Sequence, residues 1–279
     1  MKPVVSIIIP TLNRSATLHD TLVSLASLDH DAAAYEILVV DNGSTDYTGE
    51  LVDRFISSTP SHRIRYYYEP EPGLLSGRHK GALKAKGDIL VFIDDDIIAD
   101  AGWLNAIVRT FEDPTVHLVG GPSLPKYETA PPEWLEIFWF RNGAVSTCGS
   151  LSLQDQGSKI IEVDPTWVWG LNFAIRKSTL FETGGFHPDS IPKHLQRFQG
   201  DGETGLSLKI RQRGLKAVYQ PEALVYHQIP AQRLTIEYFE DRMFFQGVCD
   251  SYTKIREPHF NVNAKNQRNG LDWKLPLRK

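Results

Sequence analysis

The first 120 residues alternate short, continuous apolar runs with segments of helical spacing. VVSIII (4–9), YEILVV (35–40), RIRYYYE (63–69), DILVFI (88–93) and VHLVGG (116–121) read as strands, the first of them stopping at Pro10. Between them, ATLHDTLVSLASL (16–28) sets Leu18, Leu22, Leu25 and Leu28 on one helix face. A second helix runs through Leu51, Val52 and Phe55, with Ser44 or Thr45 as its cap. LLSGRHKGALKAKG (74–87) predicts a third helix ended by Gly87 as its C′ glycine, and DAGWLNAIVRTFED (100–113) a fourth. Apolar strands that alternate with amphipathic helices predict an α/β fold with a mostly parallel, helix-covered sheet.

The second half is less regular. Residues 122–165 are rich in Pro, Trp and polar side chains and read as loops with short strands. VWGLNFAIRK (168–177) predicts a strand, and ETGLSLKIRQRG (203–214) a helix ended by Gly214. LKAVYQPEALVYH (215–227) reads as two short strands around Pro221, and LTIEYFEDRMFFQGVCDSYTKIR (234–256) as one long helix. The polar, basic tail 257–279 is expected to be flexible. No internal repeat or low-complexity segment interrupts this order.

Composition narrows the function classes. At 279 residues and 41% apolar content the chain suits one large domain, or two small ones sharing a core. A formal net charge of −4 supplies no global basic field, so nucleic acid is not an expected partner. Cys148 and Cys249 are too few for a disulfide scaffold, and a reducing, cytoplasmic setting is expected. The start, MKPVVSIIIPTLNRS, does not read as a secretory signal. No apolar stretch approaches the roughly 20 residues that a membrane helix needs.

The chemistry gathers where the apolar runs end. The first strand leads into PTLN, the second into DNGSTD and the fourth into DDD. In open parallel sheets ligands bind outside the carboxyl ends of the strands, so these groups are candidates for one crevice. Asp94 and Asp96 are two apart, and in an extended segment they would share a face. Such a pair suits a hard divalent cation, Mg²⁺ or Mn²⁺; the alternative is a solvated acidic turn.

VSIIIPTLNR, ILVVDNGSTD and GRHKGALKAKGDILVFIDDD, in this order, resemble the family 2 glycosyltransferases of the GT-A fold. GLNFAIRKSTLFETGGF, GETGLSLKIRQRG and PEALVYH continue the resemblance, which spans about residues 4–230. It implies a Rossmann-like central sheet forming one catalytic domain over 1–230, followed by a C-terminal helix and tail over 231–279. Residues 1–120 would form the nucleotide-sugar-binding half and 121–230 the acceptor-binding half. It further implies a nucleotide-sugar donor, a divalent metal cofactor (Mn²⁺ or Mg²⁺), and transfer with inversion to a glycan or glycolipid acceptor. Polysaccharide biosynthesis is the implied setting.

By position, Pro10, Thr11 and Asn13 belong to the implied nucleotide loop, and Asp41 would contact the base. A carboxylate accepts the ring N–H of uracil or thymine, so a UDP-sugar is favoured; guanine also offers such an N–H. Arg78 would lie near the base or diphosphate, while the family often has Asn where His79 stands. Asp94 and Asp95 would approach the donor, and Asp94, Asp96 and His227 would ligate the metal. A lone histidine otherwise has a structural or surface role. The family's acidic pair before the LSLR-like helix is rearranged here to GDGETGLSLK. Alignment on LSLK makes Glu203 the favoured general base and leaves Asp201 either the alternative catalytic base or an N-cap.

Trp169, Gly170 and Asn172 fall in the segment that borders the donor sugar and acceptor. Trp167 and Trp169 alternate, so they are expected to share one strand face, as core or, Trp169 foremost, as a sugar platform. PPEWLEIFWFRNG (131–143) is an aromatic patch, either core or a flap over the acceptor, and with the basic residues of the last helix it is compatible with peripheral membrane contact. Two further classes stay open: a sugar-nucleotide nucleotidyltransferase and a noncatalytic nucleotide- or sugar-binding protein. PTLNRS lacks the glycine-rich phosphate loop expected of the former.

Overall fold

The structure is a computed structural model that describes residues 4–188, 195 and 199–260. In chain order its elements begin β1 (Val5–Thr11), α1 (Ser15–Ala26), β2 (Tyr35–Asp41), α2 (Thr48–Ser58), β3 (Ile64–Tyr68), α3 (Leu74–Lys84) and β4 (Ile89–Ile93). They continue with β5 (Ile97–Ala99), α4 (Trp103–Thr110), β6 (Val116–Gly120), β7 (Ser123–Tyr127), β8 (Phe140–Asn142), β9 (Val145–Cys148), β10 (Leu153–Asp155) and β11 (Ile161–Val163). The last are β12 (Asn172–Arg176), α5 (Lys177–Glu182), α6 (Gly202–Gln212), β13 (Lys216–Tyr219), β14 (Val225–Ile229) and α7 (Ile236–Phe260).

Eight strands form the main sheet in the order β11-β13-β6-β12-β4-β1-β2-β3. Pairing is parallel from β3 through β2 and β1 to β4, and between β6 and β13; β12 and β11 run antiparallel to their neighbours. The expected mostly parallel, helix-covered sheet is therefore present. Its apolar runs are continuous because both faces are covered. Val5, Ile7 and Ile9 pack with Leu18, Leu22 and Val52 on one side, while Ile8 packs with Ala82, Phe92 and Leu206 on the other.

A second sheet, β5-β14-β7-β10-β9-β8, is built largely from the segment read as loops with short strands. Leu135, Leu151, Leu153 and Ile229 form its core with Phe239 of α7. Phe239 meets Trp134 edge-on and Phe138 at a tilt, with ring centroids 5.1 and 4.6 Å apart. Part of the 131–143 aromatic patch is thus core, while Ile137 and Phe140 stay exposed.

Several local expectations change. β1 continues through Pro10 to Thr11. The Thr11 carbonyl accepts from Asn42 N–H on the β2 side, and alternate residues face opposite neighbours. Pro10 therefore faces β4, whose ladder with β1 ends at Ile8, and its missing N–H interrupts no bond. Gly87 is not a C′ glycine, since α3 ends at Lys84. Gly87 instead lies against β1, where a Cβ would come 2.6 Å from Ser6 N. Gly214 does end α6, at φ +65°, with Leu215 N–H donating to the Ile210 carbonyl. At α2 the capping contact comes from Asp46, whose Oδ1 accepts Thr48 N–H at 3.0 Å, not from Ser44 or Thr45. α7 extends to Phe260, and the tail expected to be flexible lies from residue 261 on outside the described residues.

Candidate active site

α3 presses close to β1 because Gly77 and Gly81 face Pro10 and Ile8. Arg78, between them in sequence, is 2% exposed and lies under the crevice at the strand ends. Its guanidinium is 3.7 Å from Asp94 Oδ1, 3.4 Å from Glu203 Oε2 and 5.0 Å from the Phe186 ring centre. Glu203, in the first turn of α6, also accepts Gly170 N–H on Oε1 at 3.2 Å. A Cβ on Gly170 would lie 3.1 Å from the Glu203 carboxylate and inside contact distance of Arg78 Nη2. Residues 78, 94, 170 and 203 therefore meet at one point.

The acidic triplet is not extended. Residues 95 and 96 form a turn between β4 of the main sheet and β5 of the second, so the shared-face argument for Asp94 and Asp96 does not hold. Asp94 turns to Arg78 and remains partly exposed. Asp95 accepts from Thr11 Oγ1 at 2.7 Å and Arg14 at 3.0 Å, and burial pushes its carboxyl up to about 6. Asp96 meets Arg14 at 2.8 Å and Arg233 at 2.7 Å through Oδ2. Burial opposes its charge, but the guanidinium groups of Arg233 and Arg14 hold it below the usual carboxylate range.

His227 does not stand at a strand end; it lies within β14, opposite Ile97 of β5. That pairing carries its ring to Asp96, with Nε2 3.3 Å from Oδ1. Nδ1 contacts the Leu151 carbonyl at 2.8 Å, an acceptor only, so Nδ1 carries the proton. Nε2 is then an acceptor, and Asp96 Oδ1 is buried with no hydrogen bond. Two acceptor atoms thus converge 3.3 Å apart; Arg233 donates to Nε2 at 2.8 Å, and once it is displaced the pair fits a divalent cation completed by water and phosphate oxygens. Asp94 is not part of that pair. Among the described residues no group of three or more His, Cys, Asp or Glu side chains is arranged to hold a metal by itself.

At the ends of β1 and β2, Asp41 is 2% exposed and accepts Ser44 N–H and Tyr66 Oη, each at 2.7 Å. Each oxygen keeps a second lone pair. Asn13 takes a left-handed conformation, φ 54°, and its Oδ1 accepts Thr45 N–H at 2.7 Å. It ties the loop after β1 to the loop after β2. Pro10 is buried in the strand below.

Two candidate residues have other occupations. Asn172 is 2% exposed; its Oδ1 accepts Trp103 Nε1 at 3.0 Å and its amide donates to Ala223 O at 2.8 Å and Pro122 O at 3.5 Å. Both amide N–H donors are taken and the side chain is buried, so Asn172 does not face the crevice but pins the main sheet to α4 and the 220s loop. Asp201 holds the N-cap position of α6, but its side chain caps no N–H there. Its carboxylate is engaged by His187 and by Thr253 Oγ1 at 2.8 Å. Burial works to raise its pKa, and these two hydrogen bonds with the nearby Arg256 lower it below the ordinary value. Asp201 therefore joins α7 to the loop before α6, and its engaged carboxylate is not placed as the alternative base. Trp167 ends a short 3-10 turn, Pro165–Trp167, ahead of β12, so it and Trp169 do not share a strand face. Both are half-buried.

Sequence reasoning missed Arg14, Arg233, His187 and Thr253. Arg14 stood inside the PTLNR segment; nothing local marks the others. His79, where the family often has Asn, accepts Phe186 N–H on Nε2 at 3.1 Å. Burial first, then Arg78 and Lys209, lower its pKa.

Residues 6–176 match the family described as Glycosyl transferase family 2. A glucosyl-dolichyl phosphate glucuronosyltransferase of Haloferax volcanii is 24% identical over 249 residues, 87% of this chain and 75% of the relative. A mannosyltransferase from Pyrobaculum calidifontis, solved with GDP-Man and Mn²⁺, superposes with TM-score 0.59 at 23% identity, over 81% of this chain and 57% of that one. TarS of S. aureus in complex with UDP-GlcNAc gives TM-score 0.57 at 16% identity, over 82% of this chain and 58% of that one. The chain thus spans less than two thirds of these solved relatives' length.

Proposed function

The chain belongs to glycosyl transferase family 2, and from that premise we propose that it moves a sugar from a nucleoside-diphosphate donor to a hydroxyl of a glycan or glycolipid acceptor. The observation that carries this reading is the Glu203 carboxylate, steered by Gly170 N–H and Arg78 to the crevice at the strand ends. Its side chain is 29% exposed, so an acceptor hydroxyl has access to it. Glu203 takes the proton from that hydroxyl as the oxygen attacks the anomeric carbon, and a single displacement inverts the configuration. Arg78 bridges the base to Asp94, so base and donor side are held by one buried cation. Asp96 and His227 would hold the divalent metal. Its chemistry, when bound, is to neutralise charge growing on the leaving diphosphate.

Asp41 supports a base with a ring N–H, uracil first. The solved relatives carry GDP-Man or UDP-GlcNAc, so both uridine and guanosine donors belong in the test. The name of the Haloferax volcanii relative supports a lipid-linked acceptor. Ile137, Phe140 and Phe244 are each exposed apolar side chains, suited to meet such an acceptor or a membrane face. No helix among the described residues is long and apolar enough to cross a membrane.

The test is product analysis with Glu203→Gln as comparator. Calorimetry with UDP, GDP, dTDP and CDP, with and without Mn²⁺, first selects the donor class. The wild type should release nucleoside diphosphate, and the variant should bind donor normally while losing about 10²–10⁴ in kcat. Release of pyrophosphate would point to nucleotidyl transfer. A variant that kept more than a tenth of the wild-type rate would remove Glu203 as base.

A further inference from the structure

Arg233 ends the short 3-10 turn Ala231–Arg233 that follows β14, and it reaches back across the strand end. One guanidinium nitrogen donates to His227 Nε2 at 2.8 Å and the other to Asp96 Oδ2 at 2.7 Å. It thus engages both residues assigned above to the metal. We propose that Arg233 is a tethered cation that competes with the divalent metal for His227 and Asp96 and makes metal affinity conditional on a bound diphosphate. The proposal rests on the reading that these two residues hold the metal.

The competition follows from valence. A neutral imidazole has one acceptor lone pair. The His227 Nδ1 proton points to the Leu151 carbonyl, so that lone pair is on Nε2, where the Arg233 N–H now sits. A cation coordinated by Nε2 and that N–H cannot share it. Charge works the same way. Arg14 already bridges Asp95 and Asp96 at 3.0 and 2.8 Å, and with Arg233 two guanidinium charges face Asp96. A dication added to this group meets like charge until Arg233 withdraws. A cleft of about 420 Å³ lined by Asn13, Asp46, Gln228 and Gln232 adjoins Arg233 and gives the side chain room to leave. A donor diphosphate would bring the negative charge that a displaced Arg233 and a bound metal both require.

The experiment is a titration of Mn²⁺ alone, followed by electron paramagnetic resonance of the free ion, in wild type and in Arg233→Met. Folding of each protein is checked by circular dichroism. Without nucleotide, the variant should bind Mn²⁺ about 10- to 100-fold more tightly than wild type, the scale of one lost charge-assisted contact. Added UDP or GDP should tighten Mn²⁺ binding strongly in wild type and much less in the variant. Arg233→Lys is the second variant: one ammonium cannot hold both partners in the same forked way, so its affinity should fall between the two. If folded R233M, or R233K should R233M not fold, binds Mn²⁺ no tighter than wild type, the proposal is overturned. When that result comes with His227→Ala abolishing Mn²⁺ binding, the metal reading stands and only the competition falls. If no protein binds Mn²⁺ with or without nucleotide, both fall together.

Discussion

Gly170→Ala is the smallest change that should disable the assembly around Glu203. The added Cβ would lie 3.1 Å from the Glu203 carboxylate and inside contact distance of Arg78 Nη2. A long side chain often swings away from such a clash, but Arg78 is 2% exposed, stacked on Phe186 and paired with Asp94 and Glu203. Glu203 is therefore the partner that moves, since 29% of its side chain reaches solvent. Its bond from Gly170 N–H, 3.2 Å long, is then stretched or lost. A misplacement of about 1 Å costs on the order of 10²-fold in rate, or about 2.7 kcal/mol in the barrier. Overpacking of the buried site adds about 1–3 kcal/mol of destabilisation. The assay is steady-state release of nucleoside diphosphate, with KM for donor and a thermal melt on the same samples. The expected result is a kcat about 100-fold down with donor KM little changed. Combination with Glu203→Gln sharpens the test, because a base already removed cannot be misplaced. The double variant should be no slower than E203Q alone. A folded G170A with kcat within threefold of wild type, or fully additive losses in the double variant, would refute the reasoning.

Two other outcomes follow from the same geometry. Asn172→Ala leaves Trp103 Nε1 and the Ala223 carbonyl buried without their partner, which should cost about 2–5 kcal/mol in urea unfolding; donor and acceptor KM of the folded protein should not move, and a selective rise in acceptor KM would restore a sugar-binding role. His79 has a folded-state pKa below its unfolded value of about 6.5, so the folded state binds fewer protons: its contribution is complete above that pH and is lost as pH falls through the folded-state value. His79→Asn should flatten the slope of stability against pH below 6.5 by the share of one group, and an unchanged slope would mean that the neutral His79–Phe186 contact does not carry it.

The order of elements was legible in the chain because local pattern encodes period and face. Continuous apolar runs such as VVSIII and ILVFI specify strands covered on both sides, and the leucines of α1 specify one packed helix face. Acidic groups after the apolar runs marked the carboxyl ends of the strands, where a parallel sheet opens its crevice. Glu203 was singled out by another route, the resemblance of GETGLSLK to the family's motif at the start of α6. Partner choice was not legible. β13 and β14 are separated in sequence by a few residues around Pro221, yet they join different sheets. That split carries His227 to Asp96 and, one turn later, brings Arg233 onto both. Asn172 looked like a sugar ligand until folding surrounded it with Trp103, Pro122 and Ala223. Asp201 looked like an alternative base until α7 supplied Thr253. In each case the deciding contact joins residues about 50 to 140 positions apart. Periodicity says which way a side chain faces, while only the packed tertiary structure decides what it meets there.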